Sequence, residues 1–132
     1  MKNNDIQTST REWYKNYYAK KGPDRNNPLK DKSGIFQLLA QERAFIRAMA
    51  STEINPAEST LLDVGCGTGS SIINFVKLGF LPENIAGIDI LDERIEGCLR
   101  VFPCAKFIRA DASKIPFDAN TFDVVSESTM FI

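Results

Sequence analysis

The sequence predicts an α/β fold, a doubly wound parallel sheet preceded by N-terminal helices. Three observations predict it. From residue 60 onward, short apolar runs alternate with helix-length stretches. The first run ends in a glycine cluster, Gly65, Gly67 and Gly69. The second and third runs end beside acids, Asp89 and Asp111. Strands joined by helix-length crossovers pair in parallel, because a parallel pair needs a long connection. Their carboxyl ends then open on one crevice, where glycines and acids serve a ligand.

The elements follow in order. Residues 10–21 hold Trp13, Tyr14, Tyr17 and Tyr18, whose spacing makes i,i+4 pairs on a helix. Lys20, Lys21 and Gly22 read as its end. Residues 22–33 are polar with two prolines and read as a loop. Residues 34–50 resume helical periodicity, with Ile35, Leu38, Leu39, Phe45, Ile46 and Met49 on one broad face. Asn55 and Pro56 break that helix. Residues 60–64 form the first strand, and residues 70–78 a helix stopped by Gly79. Residues 85–90 form the second strand, after which Asp92 caps a helix that Pro103 stops. Residues 105–110 form the third strand, 111–121 a loop, and 122–125 the start of a fourth strand. Residues 1–50 therefore read as a helical lid or cap, and residues 51–132 as the α/β domain.

Composition narrows the function classes. The 132 residues are 43% hydrophobic and 25% charged, which excludes a disordered tail, a collagen-like repeat and a coiled-coil rod. No apolar run approaches the ~20 residues of a membrane-spanning helix. The opening MKNNDIQTST lacks the apolar core of a secretory signal. The chain has no histidine, which removes the commonest general base near neutral pH and the usual zinc or copper ligand. Cys66, Cys98 and Cys104 form no C-x-x-C pair, so a disulfide framework or zinc knuckle is not expected. A reducing, cytoplasmic setting without membrane association fits best. Residues 1–50 carry a charge balance of +5 and residues 51–132 one of −6. The split reads as a solvated basic face or a lid drawn to an acidic body; an anionic partner is the other reading. Few basic residues are consecutive beside the aromatics, which argues against nucleic acid.

The chemistry lies in Leu62-Asp63-Val64-Gly65-Cys66-Gly67-Thr68-Gly69. Glycines at a strand-to-helix turn let backbone approach a ligand where a Cβ would clash. They also set N–H groups and a helix N-terminus beside it. The G-x-G-x-G spacing differs from the G-x-G-x-x-G of dinucleotide sites and suits a nucleoside with an amino-acid tail. Asp89, at the second strand's end, can accept from both ribose hydroxyls. Asp111 and Ala112, after the third strand, can meet an adenine amino group.

These residues resemble the class I S-adenosylmethionine (SAM) dependent methyltransferases, which share a Rossmann-like fold. LDVGCGTG resembles their first motif and GIDI (87–90) their second. ADASKIPFDANTFDVV (110–125) is similar to the segment joining their third and fourth strands. The resemblance spans about residues 58–130. It implies a sheet order of 3-2-1-4, a SAM cofactor with S-adenosylhomocysteine as product, and a small-molecule acceptor. By position it assigns Asp63, Gly65, Cys66, Gly67 and Gly69 to the methionine moiety and cofactor turn. Asp89 would hold the ribose, Ile90 lie beneath the adenine, Asp111 and Ala112 meet its amino group, and Ser126 sit near the cofactor. Relatives close an N-terminal helix over the cofactor, a role for Tyr17 or Tyr18.

Several positions keep a second reading. Asp63 can fix the glycine turn by bonding its N–H groups, Asp89 can cap a helix, and Asp111 can serve a turn. The rings of residues 13–18 can pack their helix onto the domain. Asp123 reads as structural. No residue stands out as a catalytic base. The run Ser126-Glu127-Ser128-Thr129 departs from the N-P-P-Y type of amino-group methyltransferases. The family sheet has seven strands, whereas this sequence stops at Met130-Phe131-Ile132, after the fourth. The expectation is a fragment holding the cofactor half-site, or a fourth strand covered by self-association. A non-catalytic SAM-binding or partner-binding module and a nicotinamide-dependent oxidoreductase are the competing classes.

Overall fold

The computed structural model describes residues 2–24, 27–30 and 32–128; Thr129 and the ending at residues 130–132 lie outside them. The chain divides into two compact units, residues 1–52 and 53–132.

The first unit holds two helices, α1 (Lys2–Lys21) and α2 (Lys32–Ala50). α1 begins well before residue 10, since its polar opening turns contain no helix breaker. The expected i,i+4 aromatic pairs form. Trp13 stacks on Tyr17 with centroids 5.2 Å apart, and Tyr14 on Tyr18 at 6.0 Å. Edge contacts between Trp13 and Tyr14, and between Tyr17 and Tyr18, tie the two pairs into a ladder. Lys21 Nζ lies 5.6 Å from the Tyr17 ring, a cation–π contact. Gly22 takes φ +76° and its N–H reaches the Tyr18 carbonyl at 3.2 Å, the left-handed stop expected there. On α2 the apolar stripe is present but exposed, from Ile35 and Phe36 to Ile46.

The second unit is a four-stranded parallel sheet in the order β3-β2-β1-β4. Its elements are β1 (Leu61–Val64), α3 (Ser70–Lys77), β2 (Ile85–Asp89), α4 (Asp92–Val101), β3 (Lys106–Arg109) and β4 (Val124–Glu127). The register sets Asp63 opposite Gly87 on one side and Ser126 on the other. Side chains alternate across the sheet. Leu62, Val64, Ala86 and Ile88 therefore form one apolar face, covered by Ile108, Ala110, Ala112, Phe117 and Phe122. Leu61, Asp63, Ile85 and Gly87 share the opposite face. Right-handed crossovers from β1 to β2 and from β2 to β3 place α3 and α4 together on one side of the sheet. The first two strands are buried at nearly every position, as expected of central strands in a parallel sheet.

Two local expectations are corrected. Asp92 does not cap α4; Leu91 occupies that position and Asp92 is the first helical residue. There Asp92 faces the positive helix end and pairs with Arg109 Nε at 3.2 Å. The fourth strand begins at Val124, two residues later than expected, because Asp123 has another task. Its Oδ2 accepts from Thr60 N at 2.8 Å and Thr60 Oγ1 at 2.9 Å, while its own N–H donates to Thr60 Oγ1 at 3.1 Å. These bonds hold the Asp123 carboxyl below the usual carboxylate range. They also start the β1–β4 ladder.

Gly87 fits only as glycine. A Cβ there would stand 2.8 Å from the Phe107 ring and 3.0 Å from Cys66 Cβ. Gly97 in α4 has only Thr68 Cγ2, at 4.0 Å. Gly87→Ala is therefore expected to destabilise the protein by about 1–3 kcal/mol through overpacking. Gly97→Ala should be neutral or stabilise by up to about 1 kcal/mol through helix propensity. Urea denaturation of both variants checks the opposite signs.

Candidate functional site

The carboxyl ends of the strands gather the candidate residues. β1 runs into the turn Gly65–Gly69, which the sheet holds from below. The amides of Gly65 and Cys66 both donate to the Ile88 carbonyl at 2.9 Å, and the Gly69 amide donates to the Cys66 carbonyl at 2.9 Å. Gly65, Gly67 and Gly69 all take positive φ, at 72°, 54° and 90°. Gly69 needs that freedom twice over, because a Cβ would also meet the Phe102 ring at 3.0 Å. As the N-cap of α3 it contributes no side chain, and no acid lies in the helix's first turn. The positive end of α3 is thus left without an acidic side chain of its own.

Asp89 ends β2 and binds the turn directly. Its Oδ2 accepts from the Gly67 amide and its Oδ1 from the Leu91 amide, each at 3.0 Å. A carboxylate oxygen has lone pairs beyond one such bond, so Asp89 can also accept from a ligand hydroxyl. Ile90 follows, half-buried. Asp111 Oδ1 accepts from the Ser113 amide at 2.8 Å and caps the short helical turn Ala112–Lys114. Ala112 packs against the apolar sheet face.

Asp63 is the unusual group. It is 1% exposed, and its Oδ2 has no hydrogen-bond partner. The Gly65 and Cys66 amides go to Ile88, that of Gly69 to Cys66 and that of Gly67 to Asp89, so the carboxylate that fixes the turn is Asp89. Asp63 instead bonds the Ser126 side chain across the β1–β4 ladder. Burial pushes its carboxyl up to about 7, and the charges of Asp89 and Glu127 push the same way against the Ser126 bond. A buried acid with an open oxygen, among two other carboxylates, favours a cationic or proton-donating ligand.

Sequence reasoning missed the support beneath the turn. Cys98, on α4, donates through Sγ to the Gly67 carbonyl at 3.1 Å. Arg94 lies over the turn, 2.9 Å from where a Gly67 Cβ would stand. Nothing in the α4 sequence marks either residue. Gly87 could have been read, since a glycine inside a strand marks close approach. Ten of the eleven candidate residues belong to the second unit, and Tyr18 lies on α1 in the first.

Comparison with known proteins gives the frame for this geometry. Residues 61–132 match a family described as a methyltransferase domain. Over 77 residues the chain is 31% identical to a phthiotriol/phenolphthiotriol dimycocerosates methyltransferase of Mycobacterium leprae (strain TN), covering 57% of this chain and 28% of that protein. Over 88 residues it is 36% identical to the 2-methyl-6-phytyl-1,4-hydroquinone methyltransferase of Synechocystis sp. (strain ATCC 27184 / PCC 6803 / Kazusa), covering 61% and 27% respectively. The chain thus spans less than a third of the length of these curated relatives. The crystal structure of the PH0226 protein from Pyrococcus horikoshii OT3 shares the fold, with a TM-score of 0.57 at 22% identity over 77% of this chain and 46% of that one.

The raised Asp63 gives a pH test. The native state keeps a proton that the unfolded chain releases near 3.8. That stabilising contribution is full below about pH 4 and is lost as pH rises through about 7. Asp63→Asn keeps the shape without the titration. The stability of the native protein relative to this variant should fall by roughly 2–3 kcal/mol between about pH 5 and pH 8. Urea unfolding at both pH values measures it, and an unchanged difference would contradict the buried-acid assignment.

Proposed function

The chain belongs to the methyltransferase domain family, whose class I members depend on SAM, and on that premise we propose that it binds SAM at the carboxyl edge of its sheet. The methyl group passes to a small-molecule acceptor. The observation that carries this reading is the buried Asp63 carboxyl with one oxygen left open beside the glycine turn. That atom suits the ammonium of an amino-acid tail, and the acidic edge suits a sulfonium. SAM supplies an activated methyl group whose leaving group is a neutral thioether.

The protein's own residues bind and orient. Gly65, Cys66, Gly67 and Gly69 line the methionine side, with the N-terminus of α3 toward its carboxylate. Asp89 accepts from the ribose hydroxyls while holding the turn. Ile90 lies under the adenine, Asp111 and Ala112 face its amino group, and Ser126 orients Asp63. Holding acceptor, methyl carbon and sulfur in line in a dry pocket accomplishes most of such a transfer. No residue of this chain is assigned as a base. The two relatives are named for phthiotriol dimycocerosates and a phytyl hydroquinone, which supports an organic small-molecule acceptor over a nucleic acid. No helix among the described residues is long and apolar enough to cross a membrane, and three unlinked thiols support a cytoplasmic setting.

Calorimetric titration tests the reading. SAM and S-adenosylhomocysteine should bind, and NAD should not. Asp89→Ala should weaken SAM binding by about 10- to 100-fold, the worth of one hydrogen bond to a charged acceptor. A folded protein that binds neither SAM nor its product, or that prefers NAD, overturns the proposal.

A further inference from the structure

Two thiols meet beneath the glycine turn, and the methyl transfer proposed above uses neither as a reactant. Cys66 Sγ, in the turn itself, lies 3.9 Å from Cys98 Sγ on α4. Both residues are buried, at 3% and 0% exposure, while Cys104 is exposed and separate. We infer that Cys66 and Cys98 form a redox-modification site, in which a hydroperoxide links them as a disulfide that ties the cofactor turn to α4. A disulfide needs an S–S separation of about 2 Å, so the sulfurs must close by roughly 2 Å between them. The motion falls on a segment able to make it, since Cys66 is flanked by Gly65 and Gly67.

The two thiols are not equivalent. The shared hydrogen bond, then burial, pushes Cys66 well above the usual thiol range. The same bond, with the Arg94 guanidinium, holds Cys98 lower against its burial and the charges of Asp89 and Asp63. Arg94, whose guanidinium lies over the same turn, is the cation that favours the Cys98 thiolate, so Cys98 is assigned as the sulfur that reacts first. Its thiolate attacks the peroxide, forming an S–O bond as the O–O bond breaks; a sulfenic acid is left, and the departing hydroxide or alkoxide takes up the proton that Cys98 released, giving water or an alcohol. Cys66 sulfur then attacks Cys98 sulfur. The S–S bond forms, the S–O bond breaks, and hydroxide departs with the Cys66 proton as water. Two thiols lose two electrons in all, and the peroxide gains them.

The link withdraws the Cys98 donor from the Gly67 carbonyl, which it meets at 3.1 Å in the reduced protein. On the cofactor reading given above, this distorts the turn and weakens SAM binding.

Hydrogen peroxide treatment of a Cys104→Ser variant, followed by non-reducing peptide mapping, tests the site. The expected product is a Cys66–Cys98 linked peptide, two hydrogens lighter and restored by dithiothreitol. Cys98→Ala should give no such product. Recovery of both thiols in alkylatable form, or their separate conversion to sulfinic acid, overturns the inference. In calorimetry the oxidised form should bind SAM five-fold or more weakly than the reduced form. A linked protein of unchanged affinity overturns the regulatory part. A reduced protein that binds no SAM sinks the cofactor reading alone, because the peptide map judges the link independently.

Discussion

The carboxylate of Asp89 is where the edge of the sheet is tied together. Its two oxygens hold the Gly67 and Leu91 amides, and its backbone carbonyl accepts from Ala110 N at 2.9 Å. One residue thereby joins the end of β2 to the turn after β1, to the start of α4 and to the end of β3. Hydrogen bonds to a charged acceptor are stronger than neutral ones, so the turn is held in place before any ligand arrives. Asparagine would keep only one acceptor oxygen and could not serve both amides equally.

The same edge carries an electrostatic cost. The charges of Asp89 and Glu127 both act on Asp63, which is removed from water with one oxygen unmet. An apolar residue at Asp63 would pack in a sheet interior without that penalty. Keeping an acid there makes the strand end less stable than it could be, and more receptive to positive charge. Stability is given up here for receptivity to a ligand, the exchange that the proposed cofactor site requires. Ser126 sets the direction of the acid, which gives β4 a purpose beyond completing the ladder.

Much of this was legible in the chain. The alternation of apolar runs and crossovers located all four strands, and the glycines with Asp89 located the site edge. These signals are local, because period, turn chemistry and strand-end acids are written within a few residues. What was not legible depends on contacts between distant segments. That Asp89 rather than Asp63 anchors the turn depends on how β1 and β2 register. The place of Cys98 under Gly67 depends on the tilt of α4. Asp92 looked like a cap because residue type and position agreed, yet Leu91 supplies the cap position and Asp92 turns to Arg109. The start of β4 was misplaced for a related reason, since Asp123 spends its carboxylate on Thr60.

That clamp bears on how the sheet assembles. β1, β2 and β3 follow one another through single helices, and each pairing closes a short stretch of chain. Thr60 and Asp123 stand 63 residues apart. Bringing them together loses more chain entropy than either of the other pairings, and long-range parallel pairing is slow for that reason. Three strands and two helices can therefore assemble as a local nucleus, with β4 arriving last. Since β4 carries Ser126, the orientation of the buried acid depends on the pairing that spans the longest stretch of chain.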